Sequence, residues 1–211
     1  MIMRRSLLLL TITFAFFACS ENNIRAQDET QESENSEQTV EEEIKEPEPM
    51  EYVVIETSKG NISLELDPNK APVTVANFLA YVDAGFYDNT VFHRVIDGFM
   101  IQGGGFTTEG EKKETRNPIT LESNNGLSNE VGTIAMARTQ APNSATAQFF
   151  INLKDNNFLD YQPGNPGYAV FGRVTSGMDV VNEIRQAETG VKNGMRDWPI
   201  EDVVIQKVYR E

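Results

Sequence analysis

Cysteine, histidine and tryptophan each occur once in this chain. The single thiol, Cys19, has no partner for an intrachain disulfide, so the folded part must be held by packing alone. With one imidazole, His93, and no thiol beyond residue 19, a zinc site or a nucleophile–histidine–acid triad lacks the residues it needs. The one glycine triplet, Gly103 to Gly105, is not followed by Gly-Lys-Ser/Thr, and no helix pattern starts there, which argues against a phosphate loop. Positive charge is also scarce. Eighteen Lys and Arg stand against thirty-two Asp and Glu, a net of −14, and no basic patch offers itself to nucleic acid or to an anionic membrane surface. The acids between Thr107 and Asn129 are too scattered among lysines to suggest a carboxylate pair or a calcium loop. No metal and no cofactor is expected.

Long apolar runs are missing as well. Leu7 to Ala18 is about a dozen residues, short of the roughly twenty that span a bilayer. Preceded by Arg4 and Arg5, it reads as a secretory signal occupying residues 1–18. Cys19 follows it directly and resembles the lipidated cysteine of a bacterial lipoprotein, although Phe16 stands where leucine is usual. The plainer alternative is a stray thiol inside an ordinary signal peptide. If Cys19 is lipidated, Ser20 in the next position favours the outer membrane, facing the periplasm, with lipid as the only membrane contact. Residues 20–50 carry eleven acids against Arg25 and Lys45 and almost no aromatics. Such a segment buries too little apolar surface to offset its ordering entropy. Residues 19–50 are therefore expected to be a disordered acidic tether, with a reach of about 30 Å. Fourteen bases and twenty-one acids remain in residues 51–211, a net of −7.

Those 161 residues suit one compact domain with a hydrophobic core. Tyr52–Glu56 and Ile62–Leu66 read as an opening hairpin. Pro72–Ala84 reads as a helix: proline suits a first turn, and Val75, Phe78, Leu79 and Val82 recur at helical spacing before Gly85. A polar loop, expected to be mobile, fills Thr107–Asn129. Thr133–Ala137, Gln148–Leu153, Tyr168–Val174 and Val203–Tyr209 are further strands, and Met178–Gln186 is a second helix. Many short strands without βαβ alternation argue an antiparallel barrel or sandwich.

The most informative stretch is Val91 to Gly105, VFHRVIDGFMIQGGG. A strand alternates to Ile96, Asp97-Gly98 supplies a hairpin turn, and a second short strand from Phe99 is expected to end where Gly103–Gly105 relax the backbone. Strict alternation puts His93 on the face opposite Arg94, in a structural role. Phe149 and Phe150 likewise face opposite ways, with Phe149 in the core.

Phe92 to Phe106 resembles the signature of the cyclophilin family of peptidyl-prolyl cis-trans isomerases, with Gly105 where the family usually has aspartate. The blocks GTIAMA (132–137), SATAQFFIN (144–152), Phe158-Leu159-Asp160 and YAVFG (168–172) support it in order and spacing. The resemblance covers about residues 51–209. It implies a closed eight-stranded antiparallel barrel capped by two helices, acting on proline-containing polypeptides; a monomer is expected, although nothing in the sequence fixes the oligomeric state. It also implies roles for individual residues. Arg94 would donate to the prolyl nitrogen, and Gln102 would hold the substrate backbone and orient Arg94. Phe99, Met100, Phe150 and Leu159 would receive the proline ring, and Gln148, Phe158, Tyr168 and the Ala137-Arg138 backbone would line the groove.

The chemistry is consistent with such a set. An X–Pro bond rotates slowly because amide resonance stiffens it, with a barrier of about 18–20 kcal/mol. In the twisted state the nitrogen regains a lone pair, and a permanently charged arginine is a suitable donor to it. Three positions depart from the family pattern: Arg138 replaces asparagine, Phe158 replaces the tryptophan of many eukaryotic members, and Tyr168 replaces their histidine. The last two predict weak cyclosporin binding, and the YQPGNPG insertion at 161–167 should lengthen the loop beside the pocket. The competing reading is a non-catalytic chaperone or holdase that binds proline peptides.

Overall fold

The computed structural model describes residues 46–211. The expected signal, Cys19 and most of the tether lie outside the described residues. Ten strands and two α-helices follow in the order β1 (Glu51–Thr57), β2 (Gly60–Leu66), α1 (Pro72–Asp83), β3 (Thr90–Ile96), β4 (Met100–Thr107), β5 (Thr133–Met136), β6 (Phe149–Asn152), β7 (Val170–Ser176), α2 (Met178–Ile184), β8 (Thr189–Lys192), β9 (Met195–Pro199) and β10 (Val204–Arg210). Eight strands close a barrel in the order β1-β10-β3-β4-β6-β5-β7-β2, every neighbouring pair antiparallel. Closure leaves the barrel no free edge.

Alternation fills the interior. Val53, Ile55, Ile62, Leu64 and Leu66 from the opening hairpin, with Phe92, Phe149 and Phe171, form one continuous core. Val75, Phe78, Leu79 and Val82 of α1 and Val181 and Ile184 of α2 join it, as helical spacing predicts. Ala71 at the N-cap of α1 offers no side-chain acceptor. Glu122, about fifty residues away, takes that part. Its carboxylate accepts the N–H groups of Val73 (3.0 Å) and Thr74 (2.8 Å) and the Thr74 hydroxyl (2.7 Å), placing negative charge at the helix N-terminus. The polar segment expected to be mobile is therefore tied to α1. A second tie, from the Arg116 N–H to the Tyr81 hydroxyl (2.8 Å), reinforces it.

Two further expectations need correcting. The glycine triplet does not end β4, which runs through it to Thr107. A Cβ at Gly103 would meet the Phe92 ring at 3.0 Å, and one at Gly104, where φ is +77°, would meet Tyr87 at 2.8 Å and Phe149 at 2.9 Å. The glycines thus let the strand pass close over the core aromatics. The last residues of the expected tether are also held against the domain. The Glu48 N–H donates to Asn69 Oδ1 and the Glu48 carbonyl accepts from Asn69 Nδ2, each at 2.8 Å.

Candidate active site

Barrel register brings the key side chains together. Arg94 on β3 lies opposite Gln102 on β4, Gln102 opposite Phe150 on β6, and Phe150 opposite Ala135 on β5. One row of residues thus crosses four strands on the outer face of the barrel. Met100, two residues from Gln102, shares that face. Beside the row lies a hollow of about 320 Å³ lined by Arg94, Phe99, Met100, Gln102, Ala137, Arg138, Phe150, Leu159 and Tyr168. This is within the usual range for small-ligand sites. A larger hollow, about 590 Å³, lies between residues 46–49 and α1, and none of these side chains reaches it.

Two predicted groove residues stand outside the lining. Phe158 is 61 % exposed and stacks on Phe99 at a centroid distance of 5.8 Å, forming a rim. Gln148 lines a neighbouring hollow of about 490 Å³ with His93, Arg94, Phe106, Met195, Arg196 and Asp197. Its Oε1 accepts a hydrogen bond from Gln102 Nε2 at 2.9 Å, so Gln102 is fixed by Gln148. The partner of the guanidinium is Asp197, whose Oδ2 lies 3.7 Å from Arg94 Nε.

Strict alternation fails along β3. The pairing with β4 shifts register between Thr90 and Phe92 and again between Phe92 and Arg94. Phe92 and Val95 both enter the core, whereas His93 and Arg94 both line the second hollow. His93 is therefore not on the face opposite Arg94, because bulges rotate the strand between them. Its ring is buried against Phe106 (4.7 Å) and Trp198 (5.9 Å). Burial lowers its pKa to about 4; the nearby Arg94 charge acts in the same direction, and the Val91 backbone and Gln148 side chain oppose it. His93 is thus neutral at ordinary pH.

Arg138 adds a wall. Its guanidinium lies over the Tyr168 ring at 4.5 Å, and its Nε donates to the Gly167 carbonyl at 2.8 Å. Tyr168 in turn meets Phe150 edge-on at 5.6 Å. Gly167 and Pro166 belong to the 161–167 insertion, which is held through Arg138 and through the Ser123 hydroxyl donating to the Pro166 carbonyl.

The other side of the hollow rests on a buried asparagine relay. Asn156 Nδ2 donates to the Phe99 carbonyl (2.9 Å) and to Asn152 Oδ1 (2.8 Å); Asn152 Nδ2 donates to Asn129 Oδ1 (3.2 Å). Asn129 donates to Asp160 through its backbone N–H (2.7 Å) and its Nδ2 (2.9 Å). The relay fixes Phe99 and Leu159 from behind. Sequence reading missed these asparagines, which carry no periodic signal, and it missed the β8–β9 hairpin with Asp197. That hairpin did carry one: Asn193-Gly194, whose φ values of 52° and 79° suit a type I′ turn.

The closed barrel finds its counterpart in known proteins. A family described as cyclophilin type peptidyl-prolyl cis-trans isomerase/CLD matches residues 52–210. The chain belongs to this isomerase family. Relatives include the peptidyl-prolyl cis-trans isomerase of Streptomyces antibioticus, 56 % identical over 160 residues, covering 74 % of this chain and 96 % of that protein. Peptidyl-prolyl cis-trans isomerase B of Escherichia coli is 54 % identical over 159 residues, covering 74 % and 97 %. A crystal structure of a cyclophilin-type isomerase from Cryptosporidium parvum superposes with a TM-score of 0.64 at 27 % identity, covering 77 % of this chain and 98 % of that one. Membership in the cyclophilin family accounts for the closed eight-stranded barrel with two helices.

Proposed function

We propose that this isomerase accelerates rotation about X–Pro bonds in exported or cell-envelope proteins, with Arg94 donating to the prolyl nitrogen as it turns pyramidal. The observation that carries this reading is the placement of the Arg94 side chain on the wall of an open hollow that Phe99, Met100, Phe150 and Leu159 also line. Phe99, Met100, Phe150 and Leu159 receive the proline ring, Phe158 and Tyr168 border it, and Gln102 with the Ala137-Arg138 backbone holds the flanking peptide. Gln148 acts by fixing Gln102. No bond is made or broken. The rate gain comes from contacts that strengthen only in the twisted state.

A protease-coupled isomerisation assay of Arg94→Ala tests the mechanism. Losing a donor aimed at a transition state typically costs about 10²- to 10³-fold. A loss of that size in a folded variant supports the role; a near-native rate refutes it. Wild-type protein that binds proline peptides without accelerating them would instead favour the holdase reading.

The cellular setting rests on the N-terminal sequence. A basic start, a short apolar run, Cys19 and then Ser20 fit a lipid anchor in the outer membrane facing the periplasm. Residues 20–50 then serve as an acidic spacer carrying a monomeric domain. Mass spectrometry of the mature N-terminus checks this: a lipidated Cys19 is expected as the first residue, and an unmodified or absent Cys19 overturns it.

A further inference from the structure

Arg94 touches one acidic side chain, and that side chain belongs to the hairpin the sequence reading overlooked. Asp197 is one of three non-glycine residues with positive φ among those described, at 62°. This backbone region disfavours side chains, with Asn and Asp among the more tolerant. At this point in β9 the chain turns the Asp197 carboxylate towards Nε of Arg94, on the wall of the second hollow.

The hairpin itself is firmly anchored. Trp198, next in sequence, is buried against His93 and Phe106, and its indole N–H donates to Asp202 at 2.7 Å. Lys192 Nζ donates to the same carboxylate at 2.7 Å and to the Thr108 carbonyl at 2.8 Å, tying β8 to the end of β4. Neutral His93 fills the space between the hairpin and β3 without adding a charge beside Arg94. These anchors hold the backbone that carries Asp197.

We infer that Asp197 is a positioning residue for the isomerase reaction: held on an anchored hairpin, it engages Arg94 at Nε so that the terminal nitrogens face the proline hollow. The inference rests on the donor role given to Arg94 above. Nε is the inner nitrogen of the guanidinium, so a carboxylate there orients the plane of the group while leaving its outer edge to the substrate. The pair is about two-fifths exposed on both sides, so its effect is modest.

The test uses Asp197→Asn and Asp197→Gly in the full chain, each also combined with Arg94→Ala. Both replacements accept positive φ, glycine most readily, so neither should lower the melting temperature. The expected result is a kcat lower by about three- to fivefold with KM within about twofold of wild type. In the Arg94→Ala background the same substitutions should change nothing further. Wild-type kcat in both single variants overturns the inference while leaving the donor role of Arg94 intact. An equal loss with and without Arg94 also overturns it, since the carboxylate would then act elsewhere. A native rate in Arg94→Ala alone overturns both readings together.

Discussion

Phe149 and Phe150 are neighbours on β6 and are almost equally buried, at 0 % and 4 % exposure. Their surroundings differ entirely. Phe149 faces inward among Phe78, Tyr87 and Phe92, with ring centroids 5.7, 5.6 and 6.1 Å away, all edge-on. Phe150 faces outward with Met100, Ala135, Leu159 and Val170, and beside it the space is open. Both clusters are made of the same apolar side chains. Composition does not separate core from site; what separates them is whether the volume next to the ring is filled by the chain itself. Inside the barrel, Phe78 of α1, Tyr87 just beyond it and Phe92 of β3 supply the surrounding rings. On the outer face the side chains stop short, and the vacancy is kept open by Arg138 stacked on Tyr168 and by the asparagine relay behind Phe99.

The sharpest way to break this comparison is to truncate each ring. Phe149→Ala leaves a cavity that three other rings cannot collapse into, and should cost about 3–5 kcal/mol in urea unfolding. Phe150→Ala removes a side chain that already borders open space. Its stability cost should be about half that or less, with the main effect a raised KM for proline peptides. Equal stability losses, with KM unchanged in Phe150→Ala, would mean that the outer cluster is simply a second core.

Arg94→Ala probes the polar side of the same face. The expected loss of about 10²- to 10³-fold in kcat/KM corresponds to about 2.7–4 kcal/mol of transition-state stabilisation. Because the side chain is partly exposed and paired only at 3.7 Å, thermal unfolding should scarcely move. The outer face would then respond to substitution in rate and the inner face in stability.

His93 belongs to both regions, since it lines the second hollow yet is packed like core. Its folded pKa of about 4 lies below its ordinary value of 6.5. Between those values the unfolded chain binds a proton that the folded chain does not, so stability is complete above pH 6.5 and falls as pH drops towards 4. At pH 5 this amounts to about 2 kcal/mol. Unfolding free energies of the wild type and His93→Gln, measured at pH 7 and pH 5, should differ in pH slope by about that amount. Identical slopes would show that the imidazole is not desolvated.

How much of this was legible beforehand follows from the range of each interaction. The opening hairpin and α1 carry local periodicity, and their residues fall in the core where that periodicity places them. The Phe99, Met100, Phe150 and Leu159 wall is legible through the resemblance of the motifs, and in the structure the register that joins β4 to β6 helps bring it together. The opposite side of the site was not legible. Bulges in β3 broke the alternation on which the reading of His93 depended. Asp197 meets Arg94 across about a hundred residues of chain, and Glu122 caps α1 across about fifty. No local pattern encodes either contact.

The smallest effect concerns Gly105, where the family signature usually has aspartate. Its φ lies outside the left-handed region, so its backbone does not require glycine. The neighbouring side chain does. A Cβ at this position would lie 2.6 Å from both Cγ and Cδ of Gln148, too close for contact. Alanine there must push Gln148 aside, and with it the acceptor that fixes Gln102 at 2.9 Å. Losing one neutral hydrogen bond costs about 0.5–1.5 kcal/mol. Gly105→Ala should therefore lower kcat/KM by up to about tenfold, with a drop in melting temperature of no more than a few degrees. Adding Gln148→Ala should bring little further loss, since the two changes act through the same contact. Additive losses would mean that Gln148 meets the substrate directly, and the second hollow would then count as part of the groove rather than as its support.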